Sequence, residues 1–218
     1  MLMTSARILI VLTGAACIAV VAMQLLDLQL PAAAAKFIAS TAFVALALRS
    51  GAWSSMFGRL IVLGLACSWF GDMFLIGQSR QAFLAGLSAF LLAHIAYVSA
   101  FVRHGYHRGW VWAAALPVTA IAIAVFAWLE PHTPAEMMIP VKAYIAVISL
   151  MVIFAVGTQG RGGSRLIISG AVLFFLSDLS VAALRLVQTE YPTYVMGLPL
   201  YYAGQVCLAL SSSQSRSQ

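Results

Sequence analysis

Charge is what this sequence has least of. Asp, Glu, Lys and Arg make up 8% of its 218 residues, against roughly 25% in soluble domains, while 63% are hydrophobic and the mean hydropathy is +0.99. So much apolar surface cannot be hidden in one soluble core, which leaves lipid as the solvent for most of it. Cysteine is also scarce. Cys17, Cys67 and Cys207 stand singly in apolar runs, and an odd count without paired loop positions excludes a disulfide framework and leaves small packing roles. Acidic residues number six against twelve basic ones, a net charge of +6. In a soluble chain that surplus would point to nucleic acid. Here the cations fall in short loops between apolar runs, where they set membrane orientation, and no nucleic-acid partner is expected. His104 and His107 flank Gly105 in a basic turn, and no three ligands with metal spacing occur at membrane depth, so neither a metal nor an organic cofactor is called for.

What is present is a series of eight apolar stretches of about 17–25 residues, enough to cross roughly 30 Å of hydrocarbon. They run over 7–26, 33–49, 59–77, 82–102, 110–129, 138–156, 165–187 and 194–211, followed by a polar tail from Ser211 to Gln218. The run from Ile8 to Leu26 is too long for a signal-peptide core and lacks a clean small-residue cleavage site, so it is read as the first span. The expectation is an all-α polytopic membrane protein with one transmembrane domain over 1–218. With eight spans, Arg7, Arg49, Arg59, Arg103, Arg108, Arg161, Arg165 and Arg216 share one side. Arg80 joins Asp27, Glu130, Glu136 and Glu190 on the other. By the positive-inside rule both termini are cytoplasmic, and the expected location is a bacterial inner membrane. Trp53, Trp110, Trp112 and Trp128 fall near span ends as an interfacial belt.

A gapless shift of 106 residues places Lys36 on Lys142, Gly51 on Gly157, Arg59 on Arg165, Gly64 on Gly170 and Asp72 on Asp178. Apolar identities are cheap in this alphabet and charged ones are not. The matches suggest a duplicated four-helix unit, with halves about 7–105 and 110–211, related by a pseudo-twofold axis along the membrane normal. Coincidence in a narrow alphabet is the competing account.

Asp72 and Asp178 lie inside two of the most apolar stretches, each thirteen residues after an arginine. At 1.5 Å per residue that places both about 20 Å from the ends of their helices. A carboxylate at that depth costs several kcal/mol unless it is paired or used. Lys36, on the antiparallel second helix, reaches the same depth, and the repeat would add Lys142. These four residues read either as a buried ion-pair network that fixes packing, or as an active site or ion path.

The stretch Ser68-Trp69-Phe70-Gly71-Asp72-Met73-Phe74-Leu75, the run Phe83 to Phe90 with His94 and Tyr97 after it, Gly170 to Asp178, and Tyr201-Tyr202-Ala203-Gly204-Gln205 together resemble the YhhN-type lysoplasmalogenase family. The resemblance covers about Lys36 to Ser211. It implies an integral membrane hydrolase that cleaves the vinyl ether bond of a lysophospholipid, the lysoplasmalogen, releasing a fatty aldehyde and glycerophosphoethanolamine or glycerophosphocholine. It carries the family's paired aspartates onto Asp72 and Asp178, its lysine onto Lys36, and a tyrosine onto Tyr144. The proline that often follows that lysine is Phe37 here.

Independently of the family, vinyl ethers resist base and yield to acid, through protonation of the carbon β to oxygen and an oxocarbenium-like cation. Two carboxyl groups can supply the proton, the stabilising anion and the placed water, as in glycoside hydrolysis. Burial favours the neutral form of a carboxyl group, a second carboxylate nearby favours it further, and lysine favours the anion. One aspartate is therefore expected to stay ionised beside lysine while its partner holds a proton. Supporting candidates are His94 and Tyr97 one turn apart, Ser177 beside Asp178, and Tyr201 and Gln205 in the last helix. Arg185, seven residues past Asp178, is a candidate for a lysolipid phosphate or for snorkelling to the interface. Two non-enzymatic alternatives remain at this stage, a small proton-coupled lipid or solute transporter using the same charges and a structural membrane protein. Small residues in helices 2, 5 and 7 also permit a homo-oligomer.

Overall fold

The computed structural model describes residues 2–213. Among these residues it contains eight α-helices and no strand: α1 (Leu2–Leu25), α2 (Gln29–Arg49), α3 (Met56–Phe74), α4 (Arg80–His104), α5 (Arg108–Leu129), α6 (Met138–Thr158), α7 (Arg165–Ala182) and α8 (Tyr194–Ser211). Each expected stretch corresponds to one helix. Met1 and the tail beyond residue 213, with Arg216, lie outside the described residues. The part of the tail that is described does not behave as a polar fringe: Ser211 and Ser212 are buried, their hydroxyls bonded to the carbonyls of Leu208 and Ala209.

Helix boundaries follow local chemistry. Ser55, Ser79 and Ser164 cap α3, α4 and α7 by accepting from the amides of Gly58, Ala82 and Leu166. Gly51, Gly105 and Gly162 take positive φ in the turns that reverse the chain. Short turns make consecutive helices antiparallel, and contacts between turns agree with this. Arg80 pairs with Glu136 at 2.7 Å across one end of the bundle, whereas the His107 amide bonds the Gly157 carbonyl at the other.

Seven of the helices are long and apolar enough to cross a membrane, and the chain is an integral membrane protein. The eighth, α8, has 18 residues and a lower hydropathy because it carries Tyr201, Tyr202 and Gln205, all buried against its neighbours. By contrast α5 buries only Ala114 and Leu129, so it turns nearly its whole apolar surface outward. One continuous core joins α1, α2, α3, α4, α6, α7 and α8.

One expected span differs in kind. The stretch 165–187 is not one regular helix, because α7 widens into a π turn at Ala183–Val187 and ends with Gln188 at φ 57°. The Thr193 hydroxyl donates to the Ser180 carbonyl at 2.6 Å, the acceptor that an unbroken α-helix would offer to the Leu184 amide. Ser180 in turn donates to the Thr193 carbonyl at 2.7 Å.

α3 is seated by a close backbone approach at Gly58, where an added Cβ would lie 2.1 Å from the Ala52 carbonyl oxygen. Backbone cannot yield there as a side-chain tip would. Gly58→Ala is expected to destabilise the protein by about 1–3 kcal/mol through overpacking, read as a lowered Tm in detergent, and an unchanged Tm would refute the close approach.

Candidate functional site

Asp72 is 2% exposed in α3 and is surrounded by donors from two other helices. Its Oδ2 accepts from the Ser40 hydroxyl of α2 at 2.6 Å and from the Tyr201 hydroxyl of α8 at 2.7 Å. The Lys36 ammonium, one turn before Ser40, lies 3.9 Å from Oδ1. Two hydroxyls and an ammonium thus converge on one carboxyl group.

Asp178 in α7 has a different set. Its Oδ2 accepts from the Tyr144 hydroxyl of α6 at 2.8 Å and lies 3.2 Å from His94 Nε2 of α4. The Tyr144 oxygen lies 3.0 Å from the same Nε2, and His94 Nδ1 faces the Met151 thioether at 3.2 Å. Oδ1 of Asp178 has no hydrogen-bond partner among the described residues. At 16% exposure the Asp178 side chain is also the more open of the two, against 3% for Asp72.

The two acids open on one cavity of about 440 Å³, lined also by Lys36, Tyr144, Ser177, Arg185 and Tyr201. Behind the cavity, the fully buried Phe174, one turn before Asp178, packs between His94 and Tyr201. Its ring centroid is 4.6 Å from that of His94 and 5.3 Å from that of Tyr201. The wall contributed by α5 and α6 is apolar: Val125, Leu129, Val141, Ile145 and Ile148. Such a cavity suits an amphiphile with a single tail, apolar along one side and polar at the other.

The remaining sequence candidates divide. Tyr97 and Gln205 lie off the cavity and bond each other, hydroxyl to Oε1, at 2.9 Å. Ser177 lines the cavity, but its hydroxyl is spent on the Phe174 carbonyl at 2.7 Å. Lys142 does not join the charged layer that the repeat anticipated. It is exposed, with its ammonium 4.9 Å above the Phe126 ring of α5. Residues two apart on a helix point about 200° apart, so Lys142 looks toward α5 while Tyr144 looks toward Asp178. Among the described residues no group of three His, Cys, Asp or Glu is placed to hold a metal ion.

Ser40 was missed from sequence. Its position four residues after Lys36, on the same helical face, was the available signal. Met151 had none, because it stands in the apolar run Leu150 to Val156.

The Lys36 to Asp72 contact generates a stability test. Lys36→Met should destabilise by about 3 kcal/mol, the lower end for a broken interior pair because the cavity reaches it. Adding Asp72→Asn should recover part of the lost Tm. Additive losses in the double variant would show that the two groups do not interact.

The YhhN family model matches residues 31–212. The chain is similar to lysoplasmalogenase TMEM86A of Bos taurus, 30% identical over 164 residues, which are 72% of this chain and 66% of that one. It is 31% identical to lysoplasmalogenase TMEM86B of Homo sapiens over 162 residues, 74% of this chain and 67% of that one. With the lysoplasmalogenase of Mycobacterium bovis it shares 33% identity over 135 residues, 59% of this chain and 51% of that one. The matched region spans from about half to about two thirds of the length of these relatives. No solved structure matches the chain significantly. With the family model covering residues 31–212, which hold both aspartates and every helix that supplies them a donor, the chain belongs to the YhhN family.

Proposed function

We propose that this protein is a membrane-embedded hydrolase that cleaves the vinyl ether bond of lysoplasmalogen by acid catalysis between Asp72 and Asp178, releasing a fatty aldehyde and glycerophosphoethanolamine or glycerophosphocholine. The observation that carries the reading is the opening of two differently solvated carboxyl groups on one cavity with an apolar wall. Relatives named lysoplasmalogenase support the substrate class. They also favour an enzyme over a transporter built on the same charges.

In this cycle Asp178 is the proton donor through Oδ1, the oxygen without a protein partner among the described residues, and Asp72, bonded by two hydroxyls with the Lys36 ammonium 3.9 Å away, is the anion. Asp178 delivers its proton to the alkenyl carbon β to oxygen, and positive charge develops on the α-carbon and the ether oxygen. The Asp72 anion, fixed before the reaction begins, stabilises that charge. Water adds to the α-carbon and gives up a proton to the Asp178 carboxylate, which restores the acid and leaves a hemiacetal. The hemiacetal loses its hydroxyl proton as the glycerol oxygen departs and is protonated, giving aldehyde and alcohol. Tyr144 and His94 hold Oδ2 of Asp178 so that Oδ1 faces the substrate. In a bacterial inner membrane with both termini cytoplasmic, the acids occupy the outer half of the bilayer and the head group lies near the outer interface.

The test is aldehyde release by detergent-purified protein, with no gradient, from lysoplasmalogen beside its ester and alkyl-ether analogues. Only the vinyl ether should react, and a transporter would give no product. Asp72→Asn and Asp178→Asn should each lower the rate by about 10²–10⁴-fold, and near-normal rates in both would exclude the mechanism. In D₂O the aldehyde should carry one solvent deuterium on the carbon next to the carbonyl, because that carbon receives the proton.

A further inference from the structure

A guanidinium group faces the cavity without a counterion. Arg185 lines it from the π turn that follows α7, half-buried. Its contacts are Gln78 Oε1 at 3.4 Å and the Phe83 ring at 5.9 Å. None of the ion pairs among the described residues involves it. Lys36, within electrostatic reach of Arg185, is already paired with Asp72. The guanidinium reaches the exposed Gln78 of the turn between α3 and α4 and the Phe83 ring at the start of α4, so it stands at the end of the bundle where the cavity opens. A cation there that no protein carboxylate among the described residues pairs is open to an anion from elsewhere.

The backbone serves the same placement. The hydrogen bonds between Ser180 and Thr193 widen the helix one turn before Arg185, and π turns within helices often mark functional positions. Arg185 lies seven residues beyond Asp178, a rise of about 10 Å. In an alkenyl glycerophospholipid, seven bonds separate the protonated carbon from phosphorus. An extended chain advances about 1.2 Å per bond, so the two atoms stand roughly 8–9 Å apart.

We propose that Arg185 and Gln78 form the site for the phosphodiester of a single-chain glycerolipid and act as a ruler that sets the alkenyl double bond at Asp178. The guanidinium takes two phosphate oxygens, and the Gln78 amide holds the guanidinium toward the cavity. The lipid's negative charge then balances the cation that the protein leaves open. The ruler rests on the vinyl ether reading given above, whereas the phosphate site does not.

The experiment measures equilibrium binding to the detergent-purified full chain, using ligands that cannot be cleaved. These are a hexadecyl ether lysophosphocholine, the matching hexadecylglycerol without phosphate, and glycerol 3-phosphate without a chain. The wild type should prefer the phosphate-bearing lipid to the alkylglycerol by about tenfold or more, the scale of a charge-assisted contact. Glycerol 3-phosphate alone should bind weakly, and equal affinity for it would assign the site to free phosphate and overturn the lipid proposal. Arg185→Gln should abolish the preference. Gln78→Glu should abolish it too, by supplying an internal counterion without altering Arg185, which keeps the test valid if Arg185→Gln does not fold. A preference retained in either folded variant, or absent from the wild type, refutes the site. If the preference behaves as expected and no aldehyde is formed, the hydrolase reading fails and the phosphate site stands.

Discussion

The bundle is organised around the cost of two carboxyl groups at lipid depth. Neither can be left bare, and neither finds a partner on its own helix. Asp72 of α3 takes hydroxyls and an ammonium from α2 and α8, and Asp178 of α7 takes a hydroxyl and an imidazole from α6 and α4. Six helices are thereby tied to two side chains. Each acid draws one set of partners from the helix before its own and another from a helix in the opposite half of the sequence.

Packing converts those ties into a cavity. Phe174 packs edge-on between the His94 and Tyr201 rings while both acids open on the same space. The mutual hydrogen bonds of Ser180 and Thr193 break the regularity of α7 near its C-terminal end, beside the cavity. Gly197 makes this possible, since a Cβ there would meet the Ser180 hydroxyl at 2.1 Å. Apart from Tyr144, the cavity residues of α5 and α6 are aliphatic. The result is a polar mouth and an apolar wall, the division an amphiphile has.

The proposed chemistry draws on the same asymmetry. Acid catalysis of a vinyl ether needs one carboxyl that gives a proton and one that remains an anion, and identical surroundings could not provide both. Asp72 is enclosed by two hydroxyls with an ammonium 3.9 Å away, whereas the more open Asp178 keeps an oxygen free of protein partners among the described residues. The difference arises from neighbours on other helices and not from the acids themselves.

The spans were legible in sequence because apolar run length is a local property. Asp72, Asp178 and Lys36 were legible because a charge in such a run carries a cost at once. Lys142 was misplaced for a physical reason: its expected place rested on an assumed repeat, whereas which way it faced depended on how α6 rotates against α5 and α7, and that put Tyr144 on Asp178 instead. The π turn escaped because it depends on Thr193, beyond the end of the helix it deforms. The sequence by itself therefore determined that lipid is the solvent, where the helices run and which charges must be satisfied, all consequences of composition along the chain. Only the tertiary structure decided which donors satisfy each acid and that both acids share a cavity, because those depend on the rotation and packing of helices distant in sequence.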